Sequence, residues 1–404
     1  MDAGTNKSMG GTDRFLKRVR VLSNTVYWYV TEGRPTRKRW LQAKRAGSTI
    51  KLDKLGPPTR SRTAQEQPAD FTPNSGRLRK ARFMKLDEYP DTSYSFEIEN
   101  LPVSGNQLNG QGEAEHRLAQ PIFHTWQYKH PMGKLEFMFQ ASRTRAELIA
   151  LLKRQWLSFG TAGSVSKNRL PANESQTSTN AIKSKVIEAG AELVGVTTLT
   201  VDMKFQDRPL PELPNVIVFA VRMEREAALW APSEKSALMI QTEYRQCDRI
   251  ASDIAGHIRS LGWNAEAAIH NLIHIPAAVN AGIGQLGKHG SLIAKQAGSM
   301  YRLGAIVTDL PLEHDQPEDL GVDDFCANCQ VCANNCPPQA ILPDKQLLRG
   351  RERWYVDFDK CIPYFVENHG CGICIGVCPW SEEGRGEDLV RKMLARRNRQ
   401  QTPV

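Results

Sequence analysis

The 404-residue sequence predicts a mixed α/β (α+β) core followed by a small domain built around cysteines. Three observations lead there. Helix-type and strand-type periodicities alternate from Asn180 onward; residues 216–221 form an unbroken apolar run behind Asn215, as in a strand buried on both faces; and eight of the nine cysteines fall between residues 326 and 378. A chain of this length with 40% hydrophobic residues has material for two or three cored units.

Residues 1–20 and 55–82 are rich in Gly, Pro, Ser, Thr and charge and read as arms or linkers, with a short strand expected between them at 25–30. Residues 1–82 are thus expected to be a basic, partly disordered arm. Residues 83–179 define no fold beyond a helix at 145–156, with Leu148, Leu151, Leu152 and Trp156 on one face, and a polar stretch at 164–179. The core, 180–320, opens with a helix at 181–189 and strands at 192–196 and 215–221. A long helix follows over about 236–261, with Tyr244, Cys247, Ala251, Ile254, Ile258 and Leu261 three or four residues apart and Gly262 as its stop. Residues 302–310 read as another strand, 321–382 as the cysteine-rich domain, and 383–404 as a charged, Arg-rich helical tail.

The net charge of +9 belongs to one end: residues 1–50 hold eleven Lys or Arg against three acids and account for +8. Such an arm suits nucleic acid, an acidic protein or an anionic membrane surface, or is simply a solvated extension. Paired arginines near 18–20 and 37–39 are followed by no apolar stretch and no small-residue cleavage site, so no export signal is expected. No run of about 18 apolar residues occurs, which leaves no expected membrane-spanning helix. Nine cysteines in a chain read as cytoplasmic point to metal rather than disulfides.

The first cysteine run is Cys326-x2-Cys329-x2-Cys332-x3-Cys336-Pro337; the second is Cys361-x9-Cys371-x2-Cys374-x3-Cys378-Pro379. A four-iron cluster needs four thiolates from a compact loop, and the first run has the bacterial ferredoxin spacing, whose fourth cysteine serves the other cluster. That rule predicts two [4Fe-4S] clusters in a bacterial-ferredoxin-like domain. One takes Cys326, Cys329, Cys332 and Cys378; the other takes Cys336, Cys361, Cys371 and Cys374. Zinc also uses Cys-x2-Cys pairs, but explains neither three cysteines at successive x2 spacings nor the proline after each final cysteine. The x9 gap implies an extra loop at 362–370 that bends the second cluster toward a neighbour. Cys247, left over on an apolar helical face, reads as an inert core thiol.

The stretch 275–290, Ile-Pro-Ala-Ala-Val-Asn-Ala-Gly-Ile-Gly-Gln-Leu-Gly-Lys-His-Gly, resembles the reductive dehalogenases and their relative epoxyqueuosine reductase. So do the segment 308–312, Thr-Asp-Leu-Pro-Leu, and the cysteine runs ending in Cys378-Pro379-Trp380. The resemblance covers about residues 180–380, roughly half the chain. It implies a nitroreductase-like core that binds a corrinoid, cobalamin or a related cobamide, in the base-off form. Pro276, Gly282, Gly284, Gly287 and Gly290 would lie at the corrinoid, since residues without Cβ let backbone approach a ligand. Read alone, Gly282-x-Gly284-x-x-Gly287 matches a dinucleotide-binding fingerprint, but a Pro-led helical segment precedes it rather than a strand. A glycine-rich turn with no ligand is the plain alternative. No Asp-x-His-x-x-Gly motif occurs, so cobalt has no protein ligand in this reading, which suits a strongly reducing cobalt(I) state.

The resemblance further implies Tyr244 as the proton donor to the carbon losing halide, with Arg302 as its electrostatic support. A cationic neighbour lowers a tyrosine pKa and stabilises the phenolate left behind. Without the resemblance, Tyr244 merely extends a core-facing stripe and Arg302 is an ordinary strand-end charge. Epoxyqueuosine reductase would bring an Asp-x-Gly-Pro-Val segment carrying its acid and an apolar residue in place of Arg302. Here 267–272 reads Ala-Ala-Ile-His-Asn-Leu, without an aspartate; His270 or Asn271 is the candidate pocket residue. The short span behind the clusters leaves no room for a helical-repeat tail, so no nucleic-acid partner is expected.

The expected function is corrinoid-dependent reductive dehalogenation of a small organohalide, with electrons passing through two [4Fe-4S] clusters to cobalt. No flavin or plant-type ferredoxin module follows residue 380, so the expected donor is a separate ferredoxin or flavodoxin reductase system. The rival readings are an epoxyqueuosine reductase-like or other corrinoid-dependent reductase, and a non-catalytic iron–sulfur electron carrier.

Overall fold

The computed structural model describes residues 34–46, 50–51, 96–97, 104–122, 133–158, 163–175, 177–206, 208 and 210–401. The strand expected at 25–30 and the linkers expected at 1–20 and 55–82 lie outside them. Ahead of the core lie α1 (Arg34–Arg45), α2 (Gly133–Ser142) and α3 (Arg145–Ser158). The core contributes α4 (Thr179–Glu188), β1 (Leu193–Thr198), β2 (Asn215–Arg222), α5 (Glu234–Ser260), β3 (Ala265–Ala267), α6 (His274–Asn280) and β4 (Tyr301–Thr308). The cysteine-rich segment adds α7 (Val322–Asn328) and α8 (Phe358–Glu367), and α9 (Arg385–Gln401) follows it.

The four core strands form one sheet in the order β1-β2-β4-β3, and every neighbouring pair is antiparallel. An unbroken apolar run is the usual mark of a strand in a parallel sheet. In β2 the same pattern has another cause: helices cover both faces of an antiparallel sheet. Val216, Val218 and Ala220 pack with Ala277, Ala278 and Ala281 on and after α6, while Ile217, Phe219 and Val221 pack with Ile182 of α4 and Ile250 and Ile254 of α5. Period-two alternation therefore sends successive side chains into two separate cores. Full burial of each large aliphatic side chain contributes about 1.5–3 kcal/mol.

Helix α5 is delimited as its sequence suggests. Ser233 Oγ accepts from the Ser236 backbone N–H and Ser236 Oγ accepts from that of Ser233, both at 3.2 Å, a reciprocal cap on two otherwise unmet donors. At the other end Gly262 adopts φ +89°, and a Cβ there would lie 2.4 Å from Arg169 Cα, so only glycine can turn the chain at that point.

The segment expected as a loop at 362–370 is instead mostly helix. Asp357 caps α8 by accepting from the Lys360 N–H at 3.1 Å, and Ile362, Pro363, Tyr364 and Val366 are buried. The apolar run in this gap is covered by the region ahead of the core: Trp40 of α1 and Leu135, Met138 and Phe139 of α2 form one cluster with Ile362 and Val366. Asn106 fastens the same junction. Its Nδ2 donates to Asp357 Oδ1 at 2.8 Å, and its Oδ1 accepts from Tyr355 Oη at 2.7 Å and the Phe358 N–H at 2.9 Å. His369, Gly370 and Cys371, all at positive φ, then turn the chain back. No helix among the described residues is long and apolar enough to cross a membrane.

Candidate active site and metal centres

The eight clustered thiols gather from α7, α8 and the short turns around them. All are free, and Cys326, Cys332, Cys336 and Cys378 are buried. Those that act on one another electrostatically fall into two sets. Cys332 feels Cys378, Cys326 and Cys329, whereas Cys361 feels Cys336, Cys371 and Cys374. The sets adjoin, because Cys374 also feels Cys332. Burial, before any neighbouring charge, pushes Cys326 and Cys336 up to about 11 and Cys371 and Cys378 up to about 12. Such thiols ionise when a cation replaces the proton, which is what iron supplies.

Two cysteine runs with a proline after each final cysteine suit a pair of iron cubes, each of which carries one thiolate on each of four separate irons. A backbone donor is already aimed at one sulfur: Cys336 Sγ accepts from the Ala340 N–H at 3.3 Å, and the Trp380 and Ser381 N–H groups favour the Cys378 thiolate.

Tyr244 and Arg302 come together although they are far apart in sequence. Tyr244 projects from α5 and Arg302 from β4, and the Arg302 guanidinium carbon lies over the tyrosine ring, 5.0 Å from its centroid. A second guanidinium, from Arg154 on α3, lies over the same ring at 4.4 Å. Arg154 is held by Asp248, one turn along α5, through a 2.8 Å Nε–Oδ2 ion pair in which the aspartate is 3% exposed. Tyr244 is only partly buried, unlike Cys247, Ala251 and Ile254 farther along the helix, so it sits at the edge of the apolar stripe. Arg302 Nε is buried and has no hydrogen-bond partner among the described residues. The site thus offers a phenol, two cations and one unmet donor that an anionic or amide-bearing group would satisfy. Cys247 is a core thiol, 2% exposed, and burial pushes it up to about 12.

The glycine-rich stretch follows helix α6, not a strand, so it lacks the context of a dinucleotide fingerprint. Pro276 lies on α6 and is partly exposed. The room left by the missing side chains is largely taken by the protein itself. A Cβ on Gly282 would lie 2.4 Å from the Gln316 carbonyl oxygen, one on Gly284 2.4 Å from that of Ile293, and one on Gly287 2.6 Å from Ile293 Cδ1. At Gly290 the contact is with Val356 Cγ2 at 3.2 Å. Chain packing therefore accounts for the first three glycines without a ligand. Gly284→Ala is expected to destabilise the fold by about 1–3 kcal/mol through overpacking, visible as a lower midpoint in thermal unfolding; an unchanged midpoint would show that the strip can yield.

His289, within this stretch, is buried, and its neutral tautomer follows from its partners. Nδ1 accepts from the Ser291 N–H at 3.1 Å, so Nε2 carries the proton and donates to Ser299 Oγ at 2.9 Å. Burial pushes its pKa from 6.5 down to about 4. Because the folded value lies below the unfolded one, the unfolded chain binds the extra proton first. The ring's contribution is complete above pH 6.5 and is lost as pH falls toward 4. About 2 kcal/mol should be gone by pH 5. Thermal unfolding between pH 8 and pH 5 should accordingly show a shallower decline for His289→Gln than for the parent chain; parallel curves would remove His289 as the cause.

Arg154 and Asp248 escaped the sequence because α3 precedes the recognisable core and nothing in its spacing points toward α5. Lys288 escaped for another reason: a lysine between glycines reads as exposed, yet it is 1% exposed. His270 is exposed, with its carbonyl accepting from Arg208 Nη1 at 2.5 Å, and Asn271 is partly buried.

A family described as 4Fe-4S dicluster domain matches residues 325–381. The tetrachloroethene reductive dehalogenase of Desulfitobacterium hafniense is 33% identical over 192 residues, covering 44% of this chain and 35% of the relative. The tetrachloroethene reductive dehalogenase of Sulfurospirillum multivorans is 31% identical over 251 residues, covering 50% of each. The chain thus spans about a third to a half of the length of these curated relatives. A solved reductive dehalogenase structure, for which a B12-dependent mechanism has been suggested, superposes with a TM-score of 0.52 at 25% identity over 68% of this chain and 42% of that one.

Proposed function

We propose that this chain, which shares sequence and fold with the reductive dehalogenases and carries a 4Fe-4S dicluster domain, is itself a corrinoid-dependent reductive dehalogenase. The observation that carries the reading is the pair of guanidiniums, Arg154 and Arg302, over the ring of Tyr244. In the net reaction a carbon–halogen bond gains two electrons and one proton, giving a carbon–hydrogen bond and free halide. Corrinoid cobalt, when bound, supplies the electrons to that bond, and the two clusters relay them inward. Tyr244 Oη donates the proton to carbon. The guanidiniums stabilise the phenolate that remains until solvent reprotonates it.

Pro276, Gly282, Gly284, Gly287 and Gly290 would form the corrinoid-facing side of the core, 180–320. The thiol quartets of 321–382 would hold the clusters. Support for the corrinoid comes from the unmet donor on Arg302 and, within the glycine strip, from Gly290, the member least explained by packing alone. The substrate class is a small organohalide. The electron source is an external ferredoxin or flavodoxin system, and the unpaired thiols suit the reducing cytoplasm.

Anaerobic reconstitution with iron, sulfide and cobalamin, followed by metal analysis and an assay for halide from a halogenated phenol, tests the proposal. Iron and cobalt should both be retained and halide released. Reduction of epoxyqueuosine-bearing tRNA without halide release would assign the chain to the epoxyqueuosine reductase class, and iron without cobalt would leave an electron carrier.

A further inference from the structure

Lys288 is among the largest fully buried side chains, at 1% exposure, and its Nζ has neither a hydrogen-bond partner nor a paired carboxylate among the described residues. Its ammonium faces the ring of Trp354, 4.8 Å from the centroid; that indole is fixed by its Nε1 donating to Asp323 Oδ1 at 2.9 Å. A cation–π contact offsets only part of the cost of taking an ammonium out of water. An anionic group beside it would offset the rest. The groups around it identify the place. Trp354 packs in one cluster with Cys326 and Cys378, and the charge of the Lys288 side chain acts on Cys326, Cys329 and Cys332, three members of one quartet.

We infer that Lys288 is a positioning residue for the four-iron cluster on Cys326, Cys329, Cys332 and Cys378, its ammonium compensating the cluster's negative charge and raising its reduction potential. Adding an electron makes the cluster more negative, and a fixed cation in a low-dielectric interior favours that state. The opposing carboxylate, Asp323, is engaged by Trp354 and by Lys345, whose Nζ lies 2.7 Å from Asp323 Oδ2. At the other quartet the cation acting on Cys336 is Lys360, about one-third exposed and facing Asp357 at 3.9 Å. The inference rests on the two-cluster reading but adds an asymmetry between the clusters.

Lys288→Met and Lys288→Arg holoproteins, titrated anaerobically with the reduced signals followed by electron paramagnetic resonance, test it. Cys378→Ser and Cys361→Ser serve to assign each signal. Lys288→Met should lower the reduced-to-oxidised ratio of the first cluster about tenfold at a fixed potential, about 59 mV for one electron. The second cluster should stay in place, and Lys288→Arg should keep the parent value. Selective loss of the first cluster in Lys288→Met, with both retained in Lys288→Arg, would equally support the inference. Unmoved midpoints, equal shifts in both clusters, or equal loss of both from Lys288→Met would overturn it. Absence of iron from the parent chain would instead overturn the two-cluster reading itself.

Discussion

Tyr244→Phe is expected to lower halide release by about 10²- to 10⁴-fold, the usual contribution of one positioned proton donor. The substitution keeps the ring on which Arg154 and Arg302 lie, 4.4 and 5.0 Å from its centroid, so both guanidiniums retain their seat. Only the hydroxyl is lost. Iron content, corrinoid content and the thermal midpoint should therefore match the parent chain, separating chemistry from folding. Activity within a few-fold of the parent would mean that water or another side chain supplies the proton, and the assignment of Tyr244 would fail.

Cysteine pairing gives the second large effect. If the quartets cross, Cys336→Ser should resemble Cys371→Ser and Cys374→Ser, each removing the second cluster and about half the iron. Cys378→Ser should then resemble Cys326→Ser, Cys329→Ser and Cys332→Ser. The electrostatic grouping of Cys332 with Cys378, and of Cys361 with Cys336, carries this expectation. A sequential arrangement would place Cys336→Ser with Cys332→Ser. Iron analysis and the surviving paramagnetic signal of each single variant decide between the two.

Much of the core was legible because local signals agreed with one another. The buried run 215–221 became β2, the glycine stop ends α5, and the three-to-four spacing of Cys247, Ala251 and Ile254 faces the core. Strand direction was not legible, since burial on both faces suits either direction and only the pairing partner decides it. The helix inside the second cysteine run was missed because Pro363 argues against a helix and because the apolar surface covering it comes from residues more than 200 positions earlier. A separation of 94 residues from Asp248 likewise hid Arg154. At the site, resemblance brought out Tyr244 and Arg302, but their shared neighbour depends on how α3 lies along α5, which no local pattern encodes. Lys288 illustrates the converse: lysine is a poor predictor of burial unless its counter-charge is known.

Crossed quartets would also impose an order on synthesis. During translation at about 5–20 residues per second, Cys378 leaves the peptidyl-transferase centre about 3–10 s after Cys326. For that interval the nascent chain presents three sulfurs of the first set without their fourth. Metal loading of either site therefore has to wait for nearly the whole cysteine-rich segment to emerge, which makes the delivery of iron and sulfide a late event and both sites sensitive to ribosomal stalling within this stretch.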